Sequence, residues 1–105
     1  MSPFHRVTDV RVVFSKRAQR QFDSAAAWWR EHGKAPFLFE DEAIRAVKLL
    51  AVTPLIGVPG RDERLKTARR LVLQQSQYFL YYRVRETTGV VEILRLWHTS
   101  RRSPR

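Results

Sequence analysis

The sequence contains no cysteine. That excludes a disulfide framework, a thiolate zinc site and a cysteine nucleophile, and it fits a reducing compartment. Glycine is sparse, and nothing among the four present matches a phosphate-cradling loop, a dinucleotide-binding turn or a GxSxG elbow. No apolar run approaches the ~20 residues of a membrane helix. The opening MSPFHRVTDVRVVF lacks the long apolar stretch of a signal peptide. These absences predict a soluble cytoplasmic protein with no membrane partner. Acidic residues are scarce too: Asp and Glu number 10 against 20 Lys and Arg, a net charge of +10. Lysine is restricted to Lys16, Lys34, Lys48 and Lys66, so arginine supplies the rest. Arginine favours planar, bidentate contact with phosphate or carboxylate. Residues 1–60 carry nine basic and six acidic residues, and residues 61–105 carry eleven and four. The C-terminal half therefore holds most of the excess charge, and such a surface suits a polyanion or an acidic protein partner.

What is present fits one domain over residues 1–105. A chain 44% hydrophobic can fill a core, and at this size it buries about two-thirds of its unfolded surface. Residues 1–8 read as a loose arm. DVRVVFS, Asp9 to Ser15, alternates as a short strand, and Ser15 stands where a helix N-cap belongs. Ala18, Phe22, Ala25 or Ala26, and Trp29 recur at helical spacing over Lys16 to about His32. Trp28 must then leave the core side. Gly33 stops this helix, and Pro36 opens a second at its first turn. The second carries Phe39, Ala43, Ala46 or Val47, and Leu50 as its apolar stripe and ends at Thr53-Pro54. Glu40, Asp41 and Glu42 diverge on it and read as partners of the helix dipole.

Residues 54–67 read as a loop, and three strands follow, Ala68–Leu73, Gln77–Arg85 and Val90–His98. Short connections make them an antiparallel meander. The expected fold class is α+β: an N-terminal strand, an αα-hairpin and a three-stranded sheet in two layers. Strict alternation puts Val91, Ile93, Arg95 and Trp97 on one face of the last strand, and Glu92, Leu94, Leu96 and His98 on the other. Both faces are apolar, so the pattern leaves open which is buried. Residues 99–105 form a basic tail.

The late motifs carry a resemblance. Arg69-Arg70-Leu71, then Tyr78-Phe79-Leu80-Tyr81-Tyr82-Arg83-Val84, then Leu96-Trp97-His98-Thr99-Ser100-Arg101-Arg102 resemble the ParE branch of the RelE/ParE superfamily of small bacterial toxins. The resemblance implies the toxin of a type II toxin–antitoxin pair, often a plasmid-stabilisation device, held in a hetero-oligomer by a cognate ParD-like antitoxin. ParE-type members poison DNA gyrase and block replication. RelE-type members cut mRNA on the ribosome. The fold is common to both.

Under the gyrase reading the chain is no enzyme. Arg69, Arg70, Arg83, Trp97, His98, Arg101 and Arg102 are the expected target contacts. Trp28 and Trp29, with Arg101 and Arg102, are the expected antitoxin contacts, because an exposed Trp is a common interface anchor. Under the endoribonuclease reading His98 is the acid or base, and Arg69 or Arg70 with Arg83 stabilises the phosphate. Against that reading, ribonuclease relatives carry an Arg near the position of Phe79, and their lysine-rich surface has no counterpart here. A third reading is a plain basic nucleic-acid binder. Arg83 has a structural alternative in pairing with Glu92, and Arg69 and Arg70 must point to opposite faces. His5, His32 and His98 show no ligand spacing, so no metal or cofactor is expected.

Overall fold

In the computed structural model, which describes residues 10–59 and 68–100, the chain turns from strand to helix at Ser15. Strand β1 spans Arg11–Phe14, and helix α1 spans Lys16–His32. Ser15 Oγ accepts from Ala18 N at 3.0 Å and so caps α1. Gly33 ends α1 with its N–H on Trp29 O. A Cβ there would stand 2.8 Å from that carbonyl and 3.0 Å from the Trp29 ring. Close approach, not a left-handed turn, requires the glycine.

Helix α2 runs Leu38–Val52. It begins two residues beyond the proline expected to open it, with Phe37 at the cap position and no side-chain cap bond. Glu40 and Asp41 lie in its first turn, and Glu40 pairs with Arg30 at 2.7 Å. Glu42 does something else. Its carboxylate accepts from Gln75 N, Ser76 N and Ser76 Oγ at 2.7–2.8 Å, fastening α2 to the turn before the fourth strand.

The sheet has five strands in the order β1-β5-β4-β3-β2, with β2 Val58–Pro59, β3 Arg69–Leu73, β4 Tyr78–Arg85 and β5 Val90–His98. The antiparallel meander is β3-β4-β5. Two additions enlarge it. β1 joins β5 in parallel, and the two-residue β2 adds to β3 from the stretch expected to be loop. Parallel pairing of distant strands leaves no local pattern to read.

Both helices pack on one face. Ala18, Ala25, Phe39, Ala43 and Leu50 meet Leu73, Leu80, Tyr82, Val91, Ile93 and Leu96 in a continuous core. The alanines let the backbones approach closely. Rings of Phe14, Phe22, Phe39, Tyr78 and His98 follow one another through this core at centroid distances of 5.8, 5.3, 4.8 and 5.1 Å. Among the described residues no helix is long and apolar enough to cross a membrane.

The alternation expected of β5 fails at one residue. Tyr82 pairs with Ile93, but Tyr81 pairs with Arg95, so Leu94 is a bulge. Val91 and Ile93 face the helices, and beyond the bulge Leu96 and His98 do, opposite Leu80 and Tyr78. Glu92, Arg95 and Trp97 take the other face. One extra residue reverses the side of everything after it.

Candidate functional site

The bulge builds a cleft. β1 pairs with β5 only as far as Phe14 and Ile93, and beyond that point α1 lies over the strand. Two side chains of the helix entrance stitch it there. Ser15 Oγ donates to Leu94 O at 3.2 Å, and Gln21 Oε1 accepts from Leu96 N at 2.8 Å. Along α1, from Arg17 to Gly33, an open cleft of about 1090 Å³ lies between the helix and the end of β5. Arg17, Arg20, Ser24 and Trp28, at spacings of three and four, form the helical wall; Tyr78, His98 and Ser100 lie across from them.

His98 is placed at this mouth. Its ring meets Tyr78 edge-on at 5.1 Å, and Nδ1 accepts from Ser100 N at 3.1 Å, with Ser100 Oγ 2.7 Å away. A backbone N–H can only donate, so the neutral ring carries its proton on Nε2. Trp28 is 52% exposed and stacks on His32 at 5.0 Å. Trp29 packs against the core, yet its Nε1 is buried with no hydrogen-bond acceptor. Buried donors are normally satisfied, and this one, on a residue of the cleft wall, is not.

Of the remaining predicted residues Trp97 also borders this cleft, and the arginines of β3 and β4 do not. Arg69 faces the helix side, opposite Tyr82, and donates to Gly57 O at 2.7 Å and Leu55 O at 3.3 Å, holding the loop before β2. Tyr82 Oη accepts from Gly57 N at 2.8 Å. Burial raises the Tyr82 pKa above its ordinary 10.0, against the opposing pull of that hydrogen bond and of Arg69. Arg70 points the other way, its guanidinium 4.4 Å from the Phe79 ring centroid. Arg83 pairs with Glu92 at 2.8 Å, and Arg85 reaches the same oxygen at 3.4 Å. The Arg83 hydrogen bond, foremost, holds the Glu92 carboxyl below its usual range. The sheet therefore stands between His98 and the side chains of Arg70 and Arg83, while Arg69, on the helix side, is held by the Leu55 and Gly57 carbonyls. Arg101 and Arg102, the arm at 1–8 and residues 101–105 of the tail lie outside the described residues.

Sequence reasoning did not single out Arg17, Arg20, Ser24 or Ser100. The first three were accessible in principle, since they continue the helical stripe that ends at Trp28. Ser100 was not, because its partner is set by the end of β5.

The model of the family described as the ParE toxin of the type II toxin–antitoxin system parDE matches residues 12–103. No curated protein matches the sequence significantly. Among solved structures, the chain is similar to one from the chromosomal ParDE toxin–antitoxin system of P. aeruginosa, with a TM-score of 0.70 and 15% identity over 89% of this chain and 99% of that one. It is also similar to a chain of the RelBE2 toxin–antitoxin complex of Mycobacterium tuberculosis, with a TM-score of 0.60 and 24% identity over 85% and 90%. The isolated E. coli RelE toxin gives a TM-score of 0.59 and 20% identity over 90% and 88%. At these identities the likeness is one of fold.

Proposed function

This chain belongs to the ParE toxin family of type II toxin–antitoxin systems, and from that premise we propose that it arrests growth by binding DNA gyrase rather than by cutting RNA. The observation that carries the choice is the sheet standing between His98 and the Arg70–Arg83 side. Metal-free RNA cleavage needs a proton-transfer group and a phosphate clamp on one scissile bond. Here the histidine opens on the α1 cleft, and Arg70 and Arg83, the clamp expected with it, open on the opposite face. A poison that works by contact needs no such convergence.

The cleft is the proposed seat of a cognate antitoxin. Its exposed Trp28 offers an anchor, Arg17 and Arg20 offer charge, and Trp29 Nε1 offers an unmet donor. An acidic, partly apolar segment that folds on binding meets all three. The basic end of β5 and the residues after it remain the proposed target contact.

Controlled expression with separate labelling of new DNA and new protein tests the reading. DNA synthesis is expected to stop first, gyrase–DNA cleavage complexes to accumulate, and His98→Ala to keep toxicity within a few-fold. If protein synthesis stops first, with mRNA cut at ribosome-bound sites and His98→Ala inert, the endonuclease reading replaces this one.

A further inference from the structure

The face of the sheet turned away from both helices carries a pattern that the antitoxin cleft does not use and that extends past the target contacts expected at Arg70, Arg83 and Trp97. Phe79 on β4 stands directly opposite Trp97 on β5, and Tyr81 stands next along β4, its ring 6.1 Å from that of Phe79. Arg70 lies beside Tyr81 on β3 and covers the Phe79 ring. Arg83 and Arg85 continue the row and share the single carboxylate of Glu92. Among the described residues Arg70 has no ion-pair partner, and its Nε is buried without a hydrogen bond. Neighbouring, part-exposed aromatic rings on a sheet face that no helix covers, bordered by cations in excess of acids, are what unpaired bases on a phosphodiester chain recognise. Bases stack on rings and guanidinium planes, and phosphates meet the arginines.

We propose that this aromatic and cationic sheet face binds single-stranded DNA. Duplex DNA keeps its bases stacked on one another and can meet only the charges. A sheet face with three part-exposed rings, one of them stacked under the Arg70 guanidinium, discriminates for unpaired bases in a way that a merely basic surface does not. The choice of DNA over RNA rests on the gyrase reading above; the preference for unpaired bases does not.

The test needs no gyrase, so its outcome and that of the growth experiment are independent. Fluorescence anisotropy of the whole chain would be followed with labelled oligothymidylate of about 12 nucleotides. An abasic strand, a duplex and oligouridylate of the same length serve as competitors. The thymidylate is expected to bind at least about tenfold tighter than the abasic strand and the duplex. Its affinity should fall steeply between about 50 and 200 mM salt, and oligouridylate should bind no tighter. Phe79→Leu and Arg70→Gln should each lower affinity about tenfold. The competitor comparison uses the unaltered protein, so it holds even if a variant folds poorly. Equal binding of abasic strand or duplex reduces the face to generic positive charge and overturns the proposal. A tenfold preference for oligouridylate overturns its assignment to DNA. Absence of binding at low salt overturns it outright.

Discussion

Tyr82 and Gly57 show how one residue choice governs another 25 positions away. The phenol accepts from the Gly57 N–H inside the core, and a Cβ at Gly57 would stand 2.7 Å from the Tyr82 ring and hydroxyl. Tyr82→Phe is expected to destabilise by about 1–3 kcal/mol at neutral pH, because the buried N–H loses its acceptor. The pH dependence has a defined sign. Burial raises the folded pKa above 10.0, so stability tied to the neutral phenol is complete below the unfolded value and is lost as pH rises toward the folded one. The gap between wild type and Tyr82→Phe should therefore narrow above about pH 10. Urea unfolding at two pH values measures this; a gap that widens there would refute the assignment. Glu92 carries the opposite sign: its lowered pKa gives stability that is lost in acid, though its partial exposure keeps the contribution small.

At the scale of elements, β5 and α1 act together. The bulge at Leu94 breaks the ladder, and α1 supplies what it leaves unmet. Were Leu94 paired in regular alternation instead, the pattern would carry Arg95 toward the core and Leu96 and His98 away from the cleft. Gln21 is the residue that stabilises the reversed register from the helix side. Gln21→Ala is expected to cost about 1–3 kcal/mol, since the half-buried Leu96 N–H is left without a partner. In hydrogen exchange, the Leu96 amide should lose more protection than the amides of β3. Uniform loss across the sheet would mean that Gln21 matters only to global stability.

For the whole molecule, the layered fold gives the charge of +10 two different addresses. One is the cleft rimmed by Arg17 and Arg20, and the other is the sheet face with Arg70, Arg83 and Arg85. Helices on one side of the sheet leave no route by which a single small ligand meets both. Trp28 belongs to the first address and contributes little to the core. Trp28→Ala should thus weaken cognate antitoxin binding by at least about 2 kcal/mol, roughly 30-fold, with little change in melting temperature. Calorimetric titration alongside thermal unfolding checks this; unchanged affinity would move the antitoxin site away from the cleft.

Much of this architecture was legible in the residues themselves. Helical spacing marked α1 and α2, Ser15 marked the cap, and the alternation of β3 and β4 placed Arg69 and Arg70 on opposite faces and Arg83 within reach of Glu92. These are local consequences of backbone period and side-chain chemistry, so the sequence by itself determined them. The tertiary structure decided the rest. The parallel β1–β5 pair, the edge strand β2, the clasp of Glu42 on Ser76 and the approach of Gly57 to Tyr82 join residues 25 or more positions apart, except for β2, which pairs with a strand 11 residues on. The side on which His98 stands depends on one unpaired residue. A bulge is visible only when a strand is counted against its partner, and that partner exists only in the folded sheet.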